Sequence, residues 1–218
     1  MVRDPHAALN GKMVIISKTR KVLAERKKPK NNSRTLILAN ARELFWKKGY
    51  EGTTVREIAQ ACSFDSGNLY NYFTSKEAIL YEILRNDASI LASAAKKIQA
   101  DESLKPIEQL KLLIEMHVKN ICTVAFGEAL LSDVGLKDLS DVHRQNIISL
   151  RDAYDSALSA IIASGIESGD FTYKNEKLAR IFIASIIART GLWFSPAGKL
   201  PTKEIANEIF TFVLNGLR

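Results

Sequence analysis

The stretch TTVREIAQACSFDSGNLYNYF, Thr53 to Phe73, decides how the chain is read. It divides into two short helical segments around a tight turn, Cys62-Ser63-Phe64. Thr54 followed three residues later by Glu57 is a capping-box signature, in which each residue satisfies a free N–H of the other's end of the helix start. Val55, Ile58 and Ala59 form the apolar side of the first segment, and Asp65 or Ser66 supplies an oxygen to cap the second. The second segment, Ser66 to Tyr72, buries Leu69 and, beyond it, Phe73; Ser66, Asn68, Tyr70, Asn71 and Tyr72 are left facing outward. Seven residues of that polarity are not stable as a lone helix, so the surface they present serves something outside the chain. Two short helices, a turn and a polar second helix are the outline of a helix-turn-helix, whose second helix enters the DNA major groove.

Upstream, Leu36, Ala39, Leu44 and Phe45 lie near a helical period. The pattern predicts a helix from Ser33, as N-cap, to about Lys48, ended by Gly49, with Tyr50 packing back. Downstream, Thr74 or Ser75 caps a long helix from Lys76 to about Gln99. Further helices are predicted over Ile107–Ala125, Ser140–Ser168, Asn175–Phe194 and Thr202–Leu217, with a broken stretch from Phe126 to Leu139. The Asn175–Phe194 segment is apolar on more than one face, as a helix at a subunit interface is. No strand pattern and no internal repeat occurs, so the expected fold is all-α.

The composition agrees and narrows the function. The chain has 218 residues, 46% of them hydrophobic, with 11 Gly and 5 Pro. Its net charge of +7 is uneven: residues 1–34 hold ten Lys/Arg against Asp4 and Glu25, a net +8, which leaves the rest at −1. That basic arm is either solvated and disordered or a phosphate-contacting extension beside the reading unit. Cys62 and Cys122 show no CxxC or Cys/His spacing and read as buried small hydrophobes, with a reducing cytoplasm the simpler assumption. No apolar run reaches a membrane span, and the N-terminus lacks a secretory apolar core. Three histidines, His6, His117 and His143, without metal-ligand spacing, a phosphate loop or a nucleophile elbow give an enzyme no support. No cofactor or metal is expected.

Ala39, Leu44, Phe45, Gly49, Tyr50, Thr53, Thr54, Ile58 and Ala59, then Gly67, Leu69, Tyr70, Tyr72, Phe73, Lys76 and Glu77, together resemble the TetR family of transcriptional regulators. Ser63 and Phe64 depart from that pattern, which commonly has Gly and an aliphatic residue; Ser is mildly unfavourable where φ must be positive. The resemblance implies a homodimer on a palindromic operator in double-stranded DNA. It implies three parts: an arm over 1–32, a three-helix helix-turn-helix domain over 33–80, and a ligand-binding and dimerisation domain over 81–218. The last two helices of that domain would build a four-helix bundle with the partner. It places Thr54, Ser66, Gly67, Asn68, Tyr70, Asn71, Tyr72 and Lys76 at the DNA. Of these, Asn68 and Asn71 suit base edges, since an amide pairs bidentately with adenine, and Tyr70, Tyr72, Thr54 and Lys76 suit phosphates.

The C-terminal half, through Leu150-Arg151 and Tyr154, Gly165, Gly169 and Phe171, and Trp193 to Ala206, is similar to the branch regulating fatty-acid and steroid degradation. That implies a small hydrophobic effector such as an acyl-CoA, which releases a repressor from its operator. Candidate pocket residues are His117, Phe126, Arg151, Tyr154, Arg189 and Trp193, polar or aromatic groups interrupting apolar helices; for each, an ordinary packed or surface residue is the alternative. The rival reading is a DNA binder of the same type whose C-terminal domain recruits a protein instead of sensing a ligand.

Overall fold

The computed structural model describes residues 30–123, 135–173, 175–195 and 197–218; residues 1–29 of the expected arm, the effector candidate Phe126 and Pro196 lie outside them, and residues 30–32 are helical. The chain divides into two units, residues 1–36 and 37–218. Of the first, only the opening turns of one helix are described.

Eight α-helices make up the described residues, with no strand: α1 (Lys30–Lys48), α2 (Val55–Ala61), α3 (Ser66–Tyr70), α4 (Lys76–Gln99), α5 (Pro106–Thr123), α6 (Asp141–Glu167), α7 (Glu176–Trp193) and α8 (Thr202–Leu217). A short 3-10 turn, Gly135–Asp138, precedes α6. None of these helices is long and apolar enough to cross a membrane.

Local chemistry fixes most of the helix ends. Thr54 accepts from the Glu57 N–H and Glu57 accepts from the Thr54 N–H, so the capping box forms in full. Ser75 caps α4 by accepting from Ala78 N at 3.0 Å. Ser140 and Asn175, expected as first residues of their helices, are the N-caps of α6 and α7. Two expectations fail. α1 already covers Lys30, so Ser33 lies inside it and is not its N-cap. Neither Asp65 nor Ser66 caps α3 by its side chain: Asp65 stands at the N-cap with no side-chain bond, and its backbone oxygen accepts from Asn68 and Leu69.

Residues Ile37, Ala41, Phe45, Ile58, Ala59, Leu69, Phe73, Ile79 and Leu80 are buried in and around the reading unit. Tyr50 packs back on Phe45, with ring centroids 5.4 Å apart. Ser63 adopts φ 57, the left-handed conformation that the departure from glycine made doubtful. Phe64, expected to insert into the core, is only half-buried and stacks on Tyr72 at 6.2 Å.

The C-terminal core is built from Leu110, Leu113, Ile114 and Val118 of α5, Leu158, Ile161 and Ile162 of α6, Ile183 and Ile187 of α7, and Ile205 and Val213 of α8. Burying each such side chain contributes roughly 1.5–3 kcal/mol. At the end of α6, a Cβ on Gly165 would lie 2.1 Å from the Phe171 ring, so only glycine lets Phe171 fold back. The Phe171 N–H then donates to Gly165 O at 2.9 Å. Cys62 and Cys122 are free and buried, as small hydrophobes are.

α7 buries Ala179, Ile183, Ile187 and Thr190 and leaves Leu178, Ile181, Phe182, Leu192 and Trp193 exposed. Phe212 of α8 is 70% exposed. An apolar face of that kind on the last two helices matches the many-sided apolarity of the sequence.

Candidate nucleic-acid interface and effector site

α3 is five residues long and buries only Leu69. Gly67, Asn68, Tyr70 and Asn71 are exposed, Tyr70 at 54%, and Ser66 is half-buried. The helix stops at Tyr70, with Asn71 as its C-cap, two residues earlier than the sequence suggests. Its geometry is fixed from outside: Leu69 anchors it, the Ser63 turn aims it, and Phe73 N–H donates to Leu69 O at 3.1 Å. Gly67 carries a separate signal. A Cβ built there meets nothing within 4 Å, so the fold itself has room for a side chain. Glycine costs a helix about 0.5–1 kcal/mol relative to alanine, and nothing inside the chain accounts for that cost.

Three expected DNA residues have internal partners. Thr54 is exposed, but its hydroxyl is engaged with Glu57 in the capping box. Tyr72 is half-buried under its stack with Phe64. Lys76 points inward: its ammonium donates to Tyr50 O at 2.9 Å and Thr53 O at 3.0 Å and lies 4.1 Å from the Tyr50 ring centroid. The α1–α2 loop presents those two carbonyls beside the start of α4; Tyr50 O also accepts from the Thr53 N–H at 3.2 Å, and the ammonium is its second donor. Lys76 therefore braces the reading unit, which leaves one N–H of its ammonium for a phosphate.

Arg42 and Lys48 are similarly engaged. Arg42 makes a bidentate pair with Asp87, at 2.6 and 2.7 Å, tying α1 to α4. Burial raises the Asp87 carboxyl above its ordinary value, against the opposing pull of Arg42. Lys48 pairs with Glu57 at 2.6 Å. That bond, with the Thr54 contacts, lowers Glu57 to about 2.

On the effector side the structure brings two of the six candidates together. His117 of α5 and Tyr154 of α6 are buried, with His117 Nδ1 2.7 Å from the Tyr154 hydroxyl and the rings edge to face. Burial lowers His117 to about 4 and raises Tyr154. The pair is thus uncharged at neutral pH. Whichever of the two donates, one donor of the pair remains: the Nε2–H or the hydroxyl O–H. Arg151 is half-buried on α6. Arg189 and Trp193 fall elsewhere: both are exposed, Trp193 at 56%, on the outward face of α7 beside Phe182. The helical period sends them there, because the inward face at their level is filled by Ile187 and Thr190. They are not brought into the interior with His117 and Tyr154.

A groove that the sequence pattern does not reveal runs between α4 and α5, with a cavity volume of about 570 Å³. Its floor is Ile90, Ile98, Leu112 and Met116, and Glu115, Lys119 and Asn120 line its polar side. Ile90 is 55% exposed and Leu112 40%. The signal in the sequence was these apolar residues falling off the buried stripe of their helices.

Residues 37–83 match the model of "Bacterial regulatory proteins, tetR family", and residues 103–217 match "Tetracyclin repressor-like, C-terminal domain". The transcriptional repressor KstR2 of Rhodococcus jostii is 29% identical over 190 residues, 86% of this chain and 92% of that protein. The structure of KstR2 of Mycobacterium tuberculosis, described as a ketosteroid transcriptional regulator, superposes with a TM-score of 0.77 at 26% identity, covering 84% of this chain and 94% of that one. The TetR-family regulator PfmR of Thermus thermophilus gives a TM-score of 0.76 at 34% identity over 84% of this chain and 98% of its own. AibR, solved with isovaleryl coenzyme A and operator DNA, shares the fold at 21% identity and a TM-score of 0.71, over 83% of this chain and 97% of its own. Such proteins are DNA-binding regulators, not enzymes. Matched along both halves, the chain belongs to the TetR family of transcriptional regulators.

Proposed function

We propose that this chain is a ligand-responsive repressor that leaves its operator when a small hydrophobic effector of the acyl-CoA class binds the C-terminal half. TetR-family regulators bind operator DNA as dimers. On this reading two copies of α3 stand about 34–36 Å apart and enter successive major grooves. Asn68 and Asn71, exposed on and just after α3, read base edges through their amides. Tyr70 and the backbone at Gly67 meet the sugar-phosphate surface, and residues 1–32 add salt-dependent affinity. The exposed apolar face of α7 and α8, with Arg189 and Trp193 on it, serves the partner copy.

The observation that carries the ligand-responsive part is the α4–α5 groove, because α4 is one of its walls. A ligand seated there touches the helix whose first turn braces the reading unit through Lys76. It acts only through a difference in affinity between two positions of α4. The acyl-CoA class is supported by the likeness to AibR, solved with isovaleryl coenzyme A and operator DNA.

The test is a fluorescence titration on full-length protein bound to a palindromic duplex that the protein itself selects from a random library. Palmitoyl-CoA is expected to lower duplex affinity at least tenfold at saturation, and Leu112→Trp, which fills the groove, to blunt that response. Unchanged affinity at saturating palmitoyl-CoA removes the acyl-CoA class. The exposure of Ile90 and Leu112 favours one rival, a protein partner docked on the same groove; it predicts a duplex affinity indifferent to palmitoyl-CoA.

A further inference from the structure

α4 leaves the reading unit between two sets of contacts. On one side Lys76 holds the α1–α2 loop. On the other, Glu77 Oε1 accepts from Ser140 N at 3.1 Å and lies 2.6 Å from His143 Nδ1. One turn along, Tyr81 stacks on the His143 ring at 3.7 Å and 10°, and its hydroxyl donates to Asn146 Oδ1 at 3.1 Å. The segment that supplies these groups is itself braced. Arg144 donates to Leu136 O and Leu139 O, both at 3.0 Å, and pairs with Asp141 at 3.2 Å. Gly135 is packed so closely that a Cβ there would lie 3.3 Å from Leu84 of α4.

The same place carries a local tension. Asp138 Oδ2 is buried and has no hydrogen-bond partner among the described residues. Tyr50, in the reading unit's loop, is pushed to about 12 by burial and then by the charges of Glu77, Asp138 and Glu51. Burial pushes the Glu77 carboxyl up as well, but the bonds from His143 and Ser140 more than offset it and hold it below its ordinary value. The Glu77–His143 contact is a quarter to a third exposed, and a contact so placed adds little stability by itself. Its geometry, a hydrogen bond and a ring stack on successive turns of α4, fixes an angle.

We infer that His143, Glu77 and Tyr81 are positioning residues for DNA binding: they set the angle at which α4 carries the reading unit away from the C-terminal half, and so where α3 meets the groove. The inference rests on the regulator reading above. A reading unit released from that angle must be ordered again at each binding event, which costs specific affinity whichever way it moves.

The test uses the full chain with His143→Ala, Glu77→Ala and both together, each measured against the self-selected duplex, against a random-sequence duplex of the same length, and for its denaturation midpoint. Each single substitution is expected to weaken the selected duplex about tenfold, within the usual range of coupling energies. The double variant is expected to lose less than the product of the singles, because the two share the Glu77–His143 bond while His143 also stacks on Tyr81 and Glu77 also accepts from Ser140. Random-sequence binding and the midpoint are expected to stay close to wild type. His143→Gln, which keeps a donor for Glu77, is expected to recover most of the affinity. Wild-type affinity in the single variants, multiplicative losses in the double, or equal losses on both duplexes overturns the inference. A wild-type chain that selects no duplex overturns the regulator reading and the inference with it, an outcome seen before any variant is made.

Discussion

Acid should weaken this protein through one buried group before its carboxylates titrate. His117 is held at about 4 by burial, against an ordinary value of 6.5. Its folded value is the depressed one, so between pH 6.5 and 4 the unfolded chain binds a proton that the folded chain refuses. Stability from this group is complete above pH 6.5 and is lost as pH falls. The linkage relation gives about 2 kcal/mol per protomer at pH 5 and about 3 kcal/mol near pH 4. Against a total stability of about 5–15 kcal/mol for a domain, that loss is large. The perturbation that isolates it is His117→Gln, which keeps an amide beside the Tyr154 hydroxyl and cannot take the proton. The assay is urea denaturation of wild type and variant at pH 7.5, 6 and 5, at one fixed protomer concentration because the family is dimeric. The acid loss from carboxylates such as Glu77 is common to both proteins and cancels. The wild type should lose about 2 kcal/mol more than the variant between pH 7.5 and pH 5. Parallel pH profiles would refute the reasoning, since they would mean that His117 is solvated and titrates alike in both states.

Gly67→Ala should raise stability by about 0.5 kcal/mol, the helix gain for alanine near a helix start, while weakening the selected duplex at least tenfold; calorimetry and fluorescence anisotropy on the same sample check both signs, and an unchanged affinity removes close approach at this site. Ser63→Gly should stabilise by about 1 kcal/mol, because Ser63 holds φ 57 and glycine pays no steric penalty there; a loss of stability in urea denaturation would show that the serine side chain supports the turn.

What was legible in the sequence is what is decided over three or four residues. The Thr54–Glu57 capping box, the Ser75 cap and the left-handed turn at Ser63 are local geometry, and each stands where the sequence places it. The long apolar helices follow from periodicity, and their boundaries moved by three residues at most. The Ser33 and Asp65/Ser66 caps are local and still fail; the other misplaced features depend on partners far away in the chain. Lys76 reads as a solvated or phosphate-binding lysine until Tyr50 and Thr53, 26 and 23 residues earlier, offer it carbonyls. Glu77 and His143 are 66 residues apart. Arg189 and Trp193 interrupt an apolar helix, which suggested a pocket, but α7 has two apolar faces and periodicity alone does not say which is inside. The α4–α5 groove was hidden for the same reason: Ile90 and Leu112 are ordinary apolar residues until two helices place them side by side.

The engagement of the reading unit's cations bears on how DNA affinity divides. Arg42, Lys47, Lys48 and Lys76 all have partners within the chain: Asp87, Glu43, Glu57 and two backbone carbonyls. α3 itself carries no charged residue. Phosphate neutralisation, the salt-dependent part of binding, therefore has few contributors among these residues, with Arg56 exposed on α2. The net +8 of residues 1–34 is the large remaining store of positive charge. On the regulator reading proposed above, α3 and Asn71 would supply sequence choice through neutral amides and hydroxyls while the arm would supply electrostatic attraction. Such a division separates the two variables a regulator must tune. A small change in the angle of α4 then alters base readout, which is short-ranged and directional, while the attraction that keeps the protein near DNA persists.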